Sequence, residues 1–308
     1  MNIQQLEYLL ALDKFRHFAK AAEYCHVTQP TLSTMIQKLE EELGVKLFDR
    51  NIQPIQPTTA GQKVIKQALV VVQQTAMIKD IVSEEVHSVS GVFRMAVLPT
   101  IAPYLLPRFF KNMTGEYTEI DLRVQELQTI PTLEALKEGT IDAAIIAAYP
   151  LEDSLTGTTL FYEEYFGYVS PNESLFKHER IRTSEITGER LWLLDEGHCF
   201  RDQLMRFCQL DKVKKNQMAY NMGSMETFMR MVESGNGITF IPSLAIEQLS
   251  DEHKKLVRPF TIPKPTREII FVTRKDFVRH SIANVLMDLV RKSVTKDMLT
   301  LKVDQKLV

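Results

Sequence analysis

Residues 18–44 read FAKAAEYCHVTQPTLSTMIQKLEEELG, and the amino-terminal fold is decided here. Phe18, Ala21, Ala22 and Cys25 recur at i, i+3, i+4 and i+7, which is one face of a short helix. Cys25 is expected to be a small core residue on that face. Thr28 is a helix cap, and Pro30 fits the following first turn, where a missing N–H costs nothing. Leu32, Ile36, Leu39 and Leu43 form the inner stripe of this next helix, and Gly44 supplies its stop. Two short helices joined so closely predict a helix-turn-helix. The second helix turns Gln29, Thr31, Ser33 and Thr34 outward, with Gln37 and Lys38 a turn later. Hydroxyl and amide side chains suit base edges and phosphates, and they equally suit a solvated helix face.

Working outward, Asn2 caps a first helix with Ile3, Leu6, Leu9 and Leu10 on its inner side. Beyond Gly44, Phe48, Arg50 and the Pro54/Pro57 stretch read as a small wing, with Arg50 a phosphate or minor-groove candidate. Residues 58 to about 88 form one long helix. Its apolar positions Val64, Ala68, Val71, Thr75, Ile78 and Val82 alternate steps of four and three, a heptad seam. Such a seam must meet another helix, either within its own domain or, the reading favoured by its length and its place between two domains, the same helix of a second subunit. A two-fold dimer would then present two recognition helices on one face of a duplex.

From Gly91 the pattern alternates between strand and helix. Phe93, Met95 and Val97 read as a strand, followed by a helix through Tyr104, Leu105, Phe109 and Phe110. Ile120, Leu122 and Val124 read as a second strand. Thr129 and Pro131 then read as cap and first turn of a helix through Leu133 and Leu136. The strand Ile141 to Ala147 closes a β-α-β-α-β run, which predicts a parallel sheet. Thr100 and Thr129 fall beyond carboxyl ends of strands, where such sheets bind ligands. Further on, a strand Leu191 to Leu194, a helix from Cys199, a Ser224-capped helix and a strand Ile238 to Ile241 are expected. A strand Ile269 to Thr273 and a helix Phe277 to Lys292 should return to the first half. This makes two subdomains with two crossovers.

Composition narrows the class. The chain has 308 residues, 44% hydrophobic and 25% charged, with a formal net charge of −2. That is ordinary for a globular protein of about two domains. No apolar run approaches the ~20 residues of a membrane span, and the first residues show no signal-peptide pattern. With three cysteines, a cytosolic location with reduced thiols is expected, without a metal or cofactor. Residues 1–66 hold eight basic and seven acidic side chains, so bulk charge would not draw this end onto DNA. Specificity must come from a placed helix.

The stretch Leu6 to Phe48 resembles the winged helix-turn-helix of LysR-type transcriptional regulators. The matching residues include Ala21-Ala22, Val27-Thr28-Gln29-Pro30, Leu32-Ser33, Leu39-Glu40, Leu43-Gly44 and Leu47-Phe48-Asp49-Arg50. Thr58-Thr59-Ala60-Gly61 continues the pattern into the linker helix. The resemblance implies an all-α winged helix-turn-helix (1–57), a linker and dimerisation helix (58–88) and an α/β regulatory domain (91–308). The last would be like a periplasmic binding protein, with subdomain I at 91–162 and 268–308 and subdomain II at 163–267. It also implies dimers that assemble into homotetramers on promoter DNA. Gln29, Pro30, Thr31, Ser33, Thr34, Lys38 and Arg50 are the implied DNA contacts. The wing departs from the family pattern, since Asn51 to Pro57 lacks the basic residues common there.

Cys199 and Cys208 remain. Cys199 sits at a loop-to-helix junction, where free N–H groups favour a thiolate. His198 and Arg201 adjoin it, and Asp202 could anchor Arg201. Nine residues of continuous helix span ~13.5 Å with the side chains about 180° apart. A disulfide tolerates only ~4.4–6.8 Å between Cα atoms, so that bond would require the helix to unwind. Spacing alone leaves two unrelated reduced thiols open. Leu194 to Gln203 with Phe207-Cys208, together with Leu98-Pro99-Thr100, Pro103 to Pro107, Ser224 to Thr227 and Gly235 to Thr239, resembles the hydrogen-peroxide-sensing branch of the same family. That resemblance implies Cys199 as the peroxide-reactive thiol and Cys208 as its disulfide partner. Thr100, Thr129 and His198 would line the peroxide pocket, with Arg201, Asp202 and Arg267 as weaker carry-overs. It further implies control of antioxidant genes, contact with RNA polymerase in the oxidised form, and reduction by glutaredoxin or thioredoxin. The rival readings are a regulator answering to a small metabolite in the cleft, and a thiol peroxidase enzyme. The DNA-binding pattern speaks against the second.

Overall fold

The computed structural model describes residues 1–85, 89–113, 115, 117–186, 191–194, 199–208 and 224–308, with the side chains of Ser83, Cys199, Phe200 and Asp202 outside that set. The chain forms two compact units, Met1–His87 and Ser88–Val308.

In the first unit, α1 (Ile3–Phe15) begins at a capping box. Asn2 accepts from the Gln5 N–H, and the Gln5 side chain accepts from the Asn2 N–H. Its buried stripe is Leu6, Tyr8, Leu9, Ala11 and Leu12, while Ile3, expected inside, is exposed. Helix α2 (Phe18–Tyr24) buries Ala21 and Ala22. Cys25 is the residue that ends α2, half-buried and packed against the core of the unit. Burial and nearby Glu7 raise the Cys25 thiol pKa. Thr28 caps α3 (Gln29–Leu43), and Gly44 ends it at φ 69°. Leu32, Ile36 and Leu39 are fully buried, whereas Leu43 is exposed in the last turn. The wing is an antiparallel ribbon of β1 (Phe48–Asp49) and β2 (Gln56–Pro57). Gly61 opens α4 (Thr59–Glu85) directly against the Leu47 carbonyl, and a Cβ there would lie 2.0 Å from that oxygen. Of the expected seam, Ala68 is buried, Val71 and Ile78 are exposed, and Val82 is 63% exposed.

The second unit starts with β3 (Gly91–Val97), α5 (Ala102–Met113), β4 (Ile120–Glu126), α6 (Thr129–Lys137) and β5 (Ala143–Ala147). β3 pairs in parallel with both β4 and β5, as the expected β-α-β-α-β run requires. The helix α5 is strongly one-sided, burying Tyr104, Leu105 and Phe109, while Phe110 is exposed. The cap of α6 is Gln128, so Thr129 is the first helical residue and is buried. β6 (Leu155–Val169) is a fifteen-residue strand. Its first part pairs antiparallel with β9 (Lys264–Arg274), and its second part pairs with β7 (Ile238–Pro242) and β8 (Val257–Pro259). β9 continues antiparallel onto β5. The sheet order is therefore β4-β3-β5-β9-β6-β7, with β8 on β6 and β10 (Gln305–Leu307) on β9. This is a mixed sheet, parallel only in its first three strands and at β10.

β6 and β9 form one ribbon running through both halves. The expected subdomain boundaries, 162/163 and 267/268, fall opposite each other in it, at Tyr162↔Glu268 and Glu163↔Arg267. Leu191 to Leu194 is not a strand; only Leu191 bridges to Ile238. Among the described residues the remaining α-helices are α7 (Cys199–Phe207), α8 (Met225–Glu233), α9 (Ser243–Ile246), α10 (Asp251–Lys254) and α11 (His280–Lys292). α8 is capped by Ser224, which accepts from the Thr227 N–H.

Candidate functional site

The DNA-facing candidates lie on the open side of α3. Gln29, Pro30, Thr31, Thr34 and Lys38 are exposed, and Ser33 is half-buried. Thr28 and Thr31 share a hydroxyl contact of 2.8 Å at the helix start, and Gln37 donates to Glu41 at 2.9 Å. Arg50 is held at the wing base: it meets Glu40 Oε2 at 3.2 Å and lies 5.2 Å over the Phe18 ring. Glu40 is the residue sequence reasoning passed over. Buried within an acidic run, its Oε1 accepts the Leu47 N–H at 2.9 Å and the Phe48 N–H at 3.3 Å. Only its i+4 spacing from Ile36 hints that it points inward.

The second candidate site lies beyond adjacent parallel strands of the regulatory unit. Thr100 follows β3 and Thr129 follows β4, and both are buried. Thr100 is tied to Arg267, whose Nη1 donates to the Thr100 hydroxyl and Nη2 to its carbonyl, both at 3.0 Å. Arg267 lies within β9 and is fully buried. The reason is its ladder partner Glu163, whose Oε2 accepts from Arg267 Nε at 3.0 Å and Nη2 at 2.8 Å. Burial alone works against the Arg267 charge, and the Glu163 carboxylate outweighs it, so the guanidinium pKa stays above its ordinary value. The other Glu163 oxygen accepts the Leu244 N–H at 3.1 Å, so both oxygens are used.

This buried pair reaches the cysteine helix. Arg267 lies 5.5 Å over the Tyr165 ring, and the Tyr165 hydroxyl donates to Gln203 Oε1 at 2.9 Å. Gln203 stands four residues after Cys199, one turn along α7. Cys199 is the first residue of α7, where unpaired backbone N–H groups favour a thiolate. His198 lies outside the described residues, as do the side chains of Cys199 and Asp202. Arg201 is half-buried on α7. Cys208 follows the helix directly, and its N–H still bonds the Leu204 carbonyl at 2.9 Å. Its thiol is free and buried in the core cluster, and burial pushes its pKa up to about 12.

A further tie joins α5 to α8 and α9. The buried Tyr104 hydroxyl donates to Glu226 at 2.6 Å, Arg108 meets Glu247 at 2.5 Å, and Gln248 donates to the Pro103 carbonyl. Sequence patterns did not signal these pairs, because partners so distant in the chain share no periodicity. Among the described residues, no cluster of His, Cys, Asp and Glu could hold a metal ion. Nor is any helix among them long and apolar enough to cross a membrane.

A helix-turn-helix with wing and long helix, joined to a two-part α/β unit, defines a class that family comparison names. Residues 3–62 match the bacterial regulatory helix-turn-helix protein, lysR family, and residues 87–295 match the LysR substrate binding domain. The chain belongs to the LysR family of DNA-binding transcriptional regulators. Within that family it is similar to OxyR and to hydrogen peroxide-inducible genes activators. It is 36% identical over 274 residues to a hydrogen peroxide-inducible genes activator of Dickeya chrysanthemi, covering 89% of this chain and 90% of that one. It is 34% identical, with the same coverage, to the DNA-binding transcriptional dual regulator OxyR of Escherichia coli K12. Among solved structures, OxyR from Porphyromonas gingivalis is 51% identical, with TM-score 0.67, over 71% of this chain and 99% of that one. A full-length OxyR variant from Pseudomonas aeruginosa is 30% identical, with TM-score 0.76, over 94% and 98%.

Proposed function

We propose that this regulator senses hydrogen peroxide through a reversible disulfide between Cys199 and Cys208, which reshapes the regulatory unit. The observation that carries the reading is the pairing of a free, buried Cys208 thiol with a helix from 199 to 207. Nine residues of helix separate the two cysteines by ~13.5 Å, about twice the longest Cα separation a disulfide tolerates. Oxidation at Cys199 would thus be converted into loss of α7 and withdrawal of Cys208 from the core.

The chemistry balances in two steps. The Cys199 thiolate attacks one peroxide oxygen; an S–O bond forms, the O–O bond breaks, and hydroxide leaves. The resulting sulfenic acid is attacked by the Cys208 sulfur, forming the S–S bond and releasing water. Thr100, Thr129 and His198 would position the peroxide, with Arg267 fixing Thr100 from below. A dithiol reductant such as glutaredoxin or thioredoxin would restore the thiols. Dimers paired through α4, assembled as homotetramers, would then meet promoter DNA differently in the two states, and the oxidised form would engage RNA polymerase. Gln29, Pro30, Thr31, Ser33, Thr34 and Lys38 would contact the operator, with Arg50 at the wing base.

The test is a footprint on promoter DNA before and after hydrogen peroxide, with Cys199→Ser beside the wild type. A footprint that shifts only in the wild type supports the mechanism. A Cys199→Ser protein that still responds would overturn it.

A further inference from the structure

One stretch of the DNA-binding unit departs chemically from its surroundings. From Asn51 to Gln62 there is no charged side chain of either sign. The wing tip falls in this stretch, with Asn51, Ile52, Gln53 and Pro54 all exposed and Ile52 49% open to solvent. A large apolar side chain at the tip of a ribbon contributes nothing to the core.

The ribbon beneath it is firmly held. Asp49 Oδ1 accepts the Asn51 N–H at 2.9 Å, Gln56 Oε1 accepts from Arg16 at 3.2 Å, and Ile55 packs on the core of the unit. The neighbouring guanidinium groups are turned onto protein. Arg50 pairs with Glu40 and covers Phe18, and Arg16 pairs with Asp13 at 2.8 Å. The tip therefore carries no cation of its own, and the exposed Lys20 stands lower, in the groove beside it. The tip also does not stand apart from the recognition helix. Gln53, Pro54 and Ile55 share one groove of about 480 Å³ with His17, Lys20 and Gln29. A duplex seated against Gln29 would bring the tip to its adjoining groove.

We propose that Asn51, Ile52 and Gln53 form an uncharged minor-groove reader with a preference for A·T pairs, resting on the assignment of this chain to DNA-binding regulators. The minor groove of A·T pairs offers only acceptors, whereas G·C adds a protruding amino group. Carboxamide N–H groups of Asn51 and Gln53 match those acceptors. The Ile52 side chain lies against an A·T floor and meets the guanine amino group on a G·C floor. Such a wing supplies sequence preference with no counter-ion release of its own.

The test uses the full-length protein and a random-sequence duplex library, followed by binding to the enriched duplex and base-substituted versions. Positions flanking the recognition-helix site should enrich A·T. Replacing those pairs by inosine·cytosine, which keeps the A·T minor groove but shows the G·C major groove, should leave affinity within about twofold, while G·C should cost about tenfold. Ile52→Ser should lose about tenfold on the enriched duplex and nothing on a scrambled one. Ile52→Arg should steepen the slope of log affinity against log salt by about one and erase the flanking preference. Inosine·cytosine as weak as G·C, or an Ile52→Ser protein indistinguishable from wild type, would overturn the wing's role alone. A wild type that enriches no sequence would overturn the DNA-binding assignment, and the proposal with it.

Discussion

Removing the Glu163 carboxylate should unfold the regulatory unit far more readily than removing the whole ion pair. In Glu163→Ala, the fully buried Arg267 keeps its charge but loses two donor contacts, at 2.8 and 3.0 Å, and the Leu244 N–H loses its acceptor. Breaking a buried pair in this way costs about 3–5 kcal/mol. The double replacement Glu163→Met/Arg267→Met removes both charges and refills the volume, so it should cost about 2 kcal/mol less than Glu163→Ala. The assay is built into the molecule. Trp192, the only tryptophan, lies in the regulatory unit, with its indole N–H donating to the Asn236 carbonyl at 3.0 Å. Its fluorescence therefore follows that unit in urea or heat. At about 2–4 °C per kcal/mol for a unit of this size, Glu163→Ala should melt roughly 6–20 °C below the wild type. A loss under about 1 kcal/mol for Glu163→Ala, or a double variant less stable than the single, would refute the claim that charge compensation holds these strands together.

Three further outcomes follow from the same geometry. Because burial lifts the Cys208 thiol from 9.0 to about 12, the folded state holds its proton more tightly than the unfolded state. Stability is thus complete below pH 9 and should fall by up to about 1.4 kcal/mol per pH unit above it, a slope missing from Cys208→Ala between pH 9 and 10 in urea titrations. Tyr104→Phe strips the donor from Glu226 and should cost about 1.5–3 kcal/mol in the same Trp192 assay; a smaller effect would show that the contact is not a stabilising tie. Finally, Ile78→Asp with Val82→Asp, both on the exposed part of α4, should leave the fold intact but yield monomers in sedimentation velocity. Dimers at the wild-type concentration would remove α4 as the pairing element.

Much of this architecture is legible in local patterns. Caps at Asn2, Thr28 and Ser224, and the stop at Gly44, rest on short-range hydrogen bonding and backbone conformation, and all four are found. The β-α-β-α-β run is legible for the same reason. What fails is what depends on partners far along the chain. The strand β6 escapes notice because its alternation breaks at the register shift between Thr159 and Phe161 and its buried faces change along its length. No local pattern marks Arg267 or Glu163 for burial, since only their pairing across β6 and β9 makes it tolerable. Thr129 is displaced by one position, from cap to first turn, because Gln128 supplies the extended backbone without a side-chain bond. The cysteine helix is half legible: its start at Cys199 follows from the pattern, while the link through Gln203 and Tyr165 does not.

The ribbon of β6 and β9 also sets a timetable for synthesis. β5 is buried along its whole length, and the neighbour that covers its outer edge is the Ile269–Thr273 part of β9. Between Ala147 and Ile269 a ribosome adds 122 residues, which takes roughly 6–24 s at ~5–20 residues per second. Throughout that interval the strand Ala143–Ala147 offers an unpaired, uncharged edge of the kind that recruits other chains. The wait is imposed by chain order rather than by any residue, so no point substitution shortens it. A circular permutant that brings β9 forward would, and it should give less aggregate during cell-free translation than the natural order.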